Sequence, residues 1–241
     1  ADNIGKRFEE EKFRAMVNPF GVMYNPVSVL HTVKKVANHT FDTAVFTLGT
    51  NHVYVERATG EIVDNCQKRP QREFEERELT VEECADALRE AITLLRQANP
   101  MVNIIITVSP IRYAKYGYHG SQLSKAVLLL AADKVIKEEG ERVYYFPAYE
   151  IVNDELRDYR FYKADMLHPN EQAVEYIWEQ LVATCFSAEA KQFLEEWRPI
   201  KEALAHRPFH PEAAAYQDFI KKTKEKAKML ELKYPNIELN L

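Results

Sequence analysis

The segment Val102–Val108 limits the folds open to this chain more than any other. It is β-branched almost throughout and apolar on both faces, with Pro100 and Pro110 closing it off at either end. A strand of this kind is buried on both sides, which is the habit of parallel sheets covered by helices. Ala44–Leu48, closed by Gly49, and Arg142–Phe146 read as further strands. Ala15-Met16-Val17, running into Asn18-Pro19-Phe20-Gly21, predicts another at 14–18. Between them lie helical patterns. Asn25-Pro26 followed by Val27, Val29, Leu30, Val33 and Val36 has the cap and first-turn proline of a helix start. Thr80-Val81-Glu82-Glu83 resembles a capping box for a helix reaching Ala98. Ser121–Glu139 and Asn170–Cys185 follow the same periodicity, and Ile4 and Phe8 place a helix at the amino end. Val53–Glu56 and Glu61–Val63 flank Ala58-Thr59-Gly60 as a small hairpin. Long crossovers containing helices imply parallel strands, with helices on both faces of one sheet.

After Cys185 the alternation stops. Phe193, Leu194, Trp197, Ile200 and Leu204 mark one amphipathic helix, and Glu212–Leu232 a second that is rich in lysine. The expected organisation is one α/β domain over 1–185 and a helical extension over 186–241 packed on it. A hydrophobic share of 46% supplies a core. The longest apolar runs, such as Ala126–Ala132, are far too short for a membrane span. The net charge of −5, with every basic cluster interleaved by acids, argues against a nucleic-acid partner. Cys66, Cys84 and Cys185 lie far apart, so neither a disulfide framework nor a zinc ribbon is expected, and a reducing, cytoplasmic setting is the simplest inference.

Three segments carry residue types suited to chemistry. Asp165-Met166-Leu167-His168-Pro169 precedes a helix, and an acid three residues before a histidine can orient its ring and stabilise its charge. The same pair can instead simply cap the following helix. Thr47-Leu48-Gly49-Thr50-Asn51 leaves a core strand at the edge where open parallel sheets bind ligands, and the Asn51 amide can donate to a developing oxyanion. A plain strand-to-hairpin turn also fits. Gly21 stands at another expected strand exit, where a free N–H can serve the same oxyanion or the glycine can merely make the turn. Ser109 and Arg112 follow the Val102–Val108 strand on the ligand edge and are expected to line the cleft. Arg160 and Tyr162, just before the Asp–His segment, suit an anionic or sugar group, or belong to an ion-pair network with Asp154, Glu155 and Asp158. Ser124-Lys125 lies within a helix, where such a pair is expected at the surface. Pro208 spoils the spacing of His206 and His210 for zinc. There is no glycine-rich phosphate loop, and no cofactor or metal is expected.

Taken together, a glycine after one strand, Gly-x-Asn after the next and a late Asp-x-x-His resemble blocks of the SGNH/GDSL hydrolases. The likeness extends to the bacterial GSCFA-domain family within that group. It is carried by Phe46-Thr47-Leu48-Gly49-Thr50, Thr107-Val108-Ser109-Pro110, Ser124-Lys125-Ala126, and the run from Tyr145 to Ile151 continued by Asp154–Tyr162. The resemblance implies a three-layer αβα, flavodoxin-like fold with a parallel sheet and a C-terminal helical appendage. It implies a Ser-His-Asp site in which His168 is the base, Asp165 its orienter, and Gly21 and Asn51 the oxyanion hole. His52 stands where the group usually has an aspartate outside the triad. Ala1 matches the last residue of the family's Gly-Ser-Cys-Phe-Ala motif, so the nucleophilic serine and the first strand are expected upstream of it.

The function expected on this basis is a serine esterase or deacetylase acting on a small ester or an acylated carbohydrate. An acyltransferase using the same triad and a non-catalytic binding or scaffold module remain the alternatives. Partners other than the small-molecule substrate are not expected, neither nucleic acid nor membrane.

Overall fold

The computed structural model describes residues 2–21, 23–235, 237 and 239. The chain divides into two compact units, one made of residues 18–177 and the other of 2–17 with 178–241. The boundary falls inside a helix.

Helix α1 (Asp2–Glu10) belongs to the second unit, and α2 (Pro26–Val36) is the first helix of the other. Asn25 caps α2: its side chain accepts the Ser28 N–H, and the Ser28 hydroxyl closes the box. Three strands then form a parallel sheet, β1 (Thr43–Leu48), β5 (Asn103–Val108) and β6 (Val143–Tyr145), with β5 in the middle. Between β1 and β5 the chain makes β2 (His52–Glu56), β3 (Ile62–Val63) and β4 (Phe74–Glu78), a separate antiparallel sheet centred on β2, and then α3 (Val81–Ala98). α4 (Gly117–Glu139) returns the chain from β5 to β6. A one-turn α5 (Ala148–Glu150), a π-helical turn over Ile151–Leu156 and a 3-10 turn over Tyr159–Phe161 lead to α6 (Glu171–Cys185).

Register explains the core. Phe46 and Leu48 of β1 lie beside Ile106 and Val108 of β5, all on one sheet face, and Val143 of β6 lies beside Ile104. That face packs on Val29 and Val33 of α2, Leu88 and Ile92 of α3, and Leu128 and Val135 of α4. Ile104, Ile106 and Val108 are fully buried, and burying each stabilises the fold by roughly 1.5–3 kcal/mol. The fold is α/β with a parallel sheet and a helical C-terminal region, as the strand and helix patterns require.

Two differences from the sequence pattern have physical causes. No strand forms at 14–18; the segment is irregular, and Met16 is exposed. Val17 is used instead against α1, where a Cβ on Gly5 would fall 2.5 Å from its Cγ1. Among the described residues no strand pairs with the outer edge of β1. β4, in contrast, is a strand whose sequence, Phe-Glu-Glu-Arg-Glu, lacks any apolar alternation. It forms by pairing with β2, where Tyr54 faces Glu76, and Lys115 bonds both of those side chains.

The second unit joins α1 to α7 (Ala188–Ala205) and α8 (Ala214–Lys233). Its core is aromatic. Phe8 meets Trp178 edge-on at 5.1 Å and stacks on Phe186, while Phe13 lies against Phe193. Lys201 of α7 bonds the largely buried Glu11 at 2.7 Å.

Candidate active site

The Asp165–His168 turn is closed on itself. Met166 takes a left-handed conformation (φ 60°), which lets Asp165 Oδ1 accept the backbone N–H groups of Leu167 (2.9 Å) and His168 (3.0 Å). The other carboxylate oxygen, Oδ2, lies 2.6 Å from His168 Nδ1. The Lys163 N–H donates to the His168 carbonyl, and Asn170 then caps α6 through Ala173. The His168 and Leu167 N–H groups, followed by the imidazole, hold the Asp165 carboxyl down at about 2. An ionised carboxylate accepts only, so Nδ1 carries a proton, and in the neutral ring Nε2 is the nitrogen with the lone pair. The His168 side chain is half exposed. Helix capping falls to Asn170, which leaves the Asp165–His168 pair free of that duty.

The exits of β1 and β5 lie at the same C-terminal edge of the sheet. The Ser109 N–H donates to the Leu48 carbonyl (2.8 Å), joining the two exits. Gly49 and Thr50 both donate to the Tyr24 carbonyl, at 2.8 and 2.9 Å, and the Asn25 amide reaches the His52 carbonyl. From beneath, α4 holds the same turn. Ser124 Oγ accepts the Asn51 N–H (2.9 Å) and pairs with the Thr50 hydroxyl, and Lys125 Nζ donates to the Gly49 carbonyl at 2.5 Å. Ser124 and Lys125 are buried, at 3% and 2% exposure, so this pair is part of the core and not the surface feature the sequence suggests. Burial alone pulls the Lys125 amine down to about 7. Helical phase carries the signal that residue type hides: counting back from the buried Val135, Ala132, Ala131 and Leu128 at helical intervals lands on 125 and 124.

Asn51 is almost fully buried. One amide hydrogen goes to the Leu79 carbonyl (2.8 Å), and the Leu79 N–H returns to the Asn51 carbonyl, while Asn51 Oδ1 has no hydrogen-bond partner among the described residues. Gly21 is exposed with φ 101°, and its N–H donates to the Asn18 carbonyl (3.0 Å). Its donor is therefore engaged here, not free. No hydrogen bond of the described residues ties Gly21 to Asn51 or His168.

Ser109 is buried, and its hydroxyl accepts the Ile111 N–H (3.3 Å). Arg112 donates its backbone N–H to the Leu167 carbonyl (3.1 Å) and Nη1 to the Met166 carbonyl (2.8 Å). Its guanidinium lies over the rings of Tyr118 (4.2 Å), Tyr159 (5.5 Å) and Tyr162 (5.6 Å). Arg160 is mostly exposed, 4.0 Å from Asp158, with its guanidinium over Phe161. The wider acidic network expected around it does not reach it, as Glu155 instead bonds Tyr176. Tyr118 and Tyr159, both exposed beside Arg112, carry no sequence pattern that singles them out.

The GSCFA family model matches residues 1–44 and 37–181, and a model described as the C-terminal domain of GSCFA domain proteins matches 197–241. The chain belongs to the GSCFA family. No curated protein matches this chain. Among solved structures, this GSCFA chain is similar to a carbohydrate esterase of family 3 from Talaromyces cellulolyticus, with 16% identity, TM-score 0.44, and coverage of 72% of this chain and 69% of that one. It is also similar to a mutant acetyl esterase with acetate ion (15% identity, TM-score 0.42, coverage 72% and 69%). An acetyl xylan esterase, Est2A, from the rumen bacterium Butyrivibrio proteoclasticus matches at 16% identity and TM-score 0.33, over 68% of this chain and 38% of that one.

Proposed function

We propose that the protein is a serine ester hydrolase acting through an acyl-enzyme on a small ester or an acylated carbohydrate. The observation that carries this reading is the 2.6 Å bond between His168 Nδ1 and an Asp165 carboxylate held ionised by backbone N–H groups. In the neutral ring Nε2 is then free to act as the base, on a turn that Arg112 ties to the exit of β5. The nucleophile on this reading is the serine that the family resemblance sets before Ala1. Its oxygen attacks the ester carbonyl while its proton passes to His168 Nε2, and Asp165 stabilises the imidazolium. Collapse breaks the bond to the leaving alcohol, which takes that proton. Water then repeats the cycle and releases the acid.

For the oxyanion, Asn51 offers the amide hydrogen not held by Leu79, and the Gly21 N–H exchanges the Asn18 carbonyl for the substrate oxygen. Arg160, mostly exposed, and the exposed rings of Tyr118 and Tyr159, each with Arg112 over one face, suit the polar edges and flat faces of a sugar ring.

The test is a chain extended upstream of Ala1 through the Gly-Ser-Cys-Phe motif. It is expected to hydrolyse p-nitrophenyl acetate and to be labelled by a fluorophosphonate, and His168→Ala is expected to abolish both. A folded extended chain that neither labels nor turns over a broad ester panel would make the protein a binding module.

A further inference from the structure

The turn that carries Asp165 and His168 is irregular and exposed, and its own hydrogen bonds return only to its stem. Lys163 donates to His168, Met166 to Lys163, and Asn170 to Phe161. What fixes it against the sheet is Arg112. The backbone N–H of Arg112 donates to the Leu167 carbonyl and its guanidinium to the Met166 carbonyl, so one residue grips the carbonyls of both residues between Asp165 and His168. Met166 is the residue with positive φ, and its geometry is what turns both backbone N–H groups onto the carboxylate.

Arg112 is itself anchored. Its loop begins at Ser109, bonded to Leu48 of β1, passes through Ile111, bonded to the Ser109 hydroxyl, and ends with the Tyr113 N–H donating to Ser121 of α4. The guanidinium is flanked by the rings of Tyr118, Tyr159 and Tyr162, which restrict a side chain that otherwise carries considerable rotamer freedom. A planar, permanently charged donor so confined keeps its hydrogen bond at one carbonyl, which a mobile lysine does less well.

We propose that Arg112 is a positioning residue for the Asp165–His168 pair, transmitting the rigidity of the β1–β5 sheet edge to the histidine through the Met166 and Leu167 carbonyls. This departs from the sequence expectation that Arg112 contacts substrate. Its charge is committed to the turn, and its role is to hold Nε2 where the nucleophile requires it. The kinetic side of the inference rests on the ester-hydrolase reading; the structural side does not. Displacing a base by an ångström costs on the order of 10²-fold in rate without a comparable loss of binding.

The experiment compares wild type with Arg112→Ala and Arg112→Lys. In the chain Ala1–Leu241, proton NMR is expected to show a downfield resonance from the His168 Nδ1–H bonded to Asp165. It is expected to vanish by exchange in Arg112→Ala and to persist but broaden in Arg112→Lys, with the amide spectrum of the sheet unchanged in both. In the extended chain with p-nitrophenyl acetate, kcat is expected to fall ~10²-fold in Arg112→Ala with KM within about twofold, and Arg112→Lys to recover only part of the loss. A wild-type resonance in a folded Arg112→Ala overturns the positioning role. So does a loss expressed in KM alone, which would make Arg112 a substrate contact. If Arg112→Ala does not fold, Arg112→Lys decides: a slower kcat with a broadened resonance supports the role, and wild-type values for both overturn it. An extended wild type that is inactive yet shows the resonance, lost in Arg112→Ala, sinks the hydrolase reading and leaves the positioning role standing.

Discussion

Lys125 Nζ, on α4, donates at 2.5 Å to the carbonyl of Gly49 at the end of β1, and the two residues are 76 positions apart in sequence. Among the described residues no carboxylate pairs with the buried amine; its other neighbour is the face of Tyr113, 5.2 Å away. Burial disfavours the charged form, so folding lowers the amine from an ordinary 10.5 to about 7. Between those values the unfolded chain binds a proton that the folded chain does not, and stability therefore rises with pH across that window. Below about 7 both states are protonated and the penalty is constant. Lys125→Met removes the amine. Denaturant midpoints measured from pH 6 to 10 are expected to show wild type gaining on Lys125→Met above pH 7, with no change in their difference below it. Parallel profiles throughout would mean that the amine keeps its ordinary affinity for protons.

Gly49 is confined from two sides. A Cβ at this position would fall against the Tyr113 hydroxyl and 3.2 Å from the Tyr24 carbonyl, which already accepts the Gly49 and Thr50 N–H groups. Gly49→Ala is expected to cost about 1–3 kcal/mol, as overpacking of a filled site does. Tyr113→Phe removes the oxygen that the methyl meets. The double variant is expected to be more stable than the sum of the two single losses, by about 0.5–3 kcal/mol. Additive losses in urea denaturation would show that the clash lies elsewhere.

Asp165 owes its low pKa first to the backbone N–H of His168, then to that of Leu167, and only then to the imidazole. His168→Ala keeps both backbone donors, so its Asp165 carboxyl is expected to titrate well below the ordinary range still, by carbon-detected NMR. The sign follows from linkage: a depressed carboxyl contributes stability that is fully present above its ordinary value of 3.8 and is lost as pH falls from there through its folded value, here about 2. Between pH 4 and 8 Asp165 is therefore expected to contribute no limb to any activity profile. Asp165→Asn keeps an oxygen for the N–H groups but no longer fixes the ring tautomer, and is expected to lower kcat of the extended chain by ~10⁴.

How far the sequence revealed this arrangement follows from the kind of interaction at each place. The β1, β5 and β6 strands and the α2, α3 and α4 helices are legible because their burial is periodic, from Phe46 and Leu48 to Ile104 and Ile106. The Asp165–His168 bond is legible because it is local, spanning three residues. The charged β4 is not, since its stability comes from β2 across a loop, and 14–18 misleads because Val17 packs on Gly5 and pairs with no strand. Lys125 reads as a surface residue by type, while Leu123 and Leu130 on the same helix are the ones exposed. Residue type and helical phase disagree there, and phase decides. The grip of Arg112 on residues 166 and 167 joins segments 54 positions apart, and no pattern along the chain encodes it.

Asn51 carries two separable duties. Its side chain and carbonyl tie the β1 exit to Leu79 at the start of α3, through bonds of 2.8 and 2.9 Å, and its remaining amide hydrogen is the proposed oxyanion donor. Asn51→Ala strips the Leu79 carbonyl of a buried donor, which costs roughly 1–3 kcal/mol. Because Asn51 Oδ1 has no partner, its removal adds nothing to that loss, so the lower half of the range is expected. Catalysis provides the second readout. Loss of one oxyanion donor slows kcat by ~10²–10³ with KM nearly unchanged. Adding Leu79-region stability back with a general osmolyte such as sucrose restores the folded fraction but cannot restore a missing donor. The expected result for the extended chain is thus a denaturation midpoint rescued by sucrose and a kcat that is not. A kcat that recovers together with the midpoint would reduce Asn51 to a purely structural tie between β1 and α3.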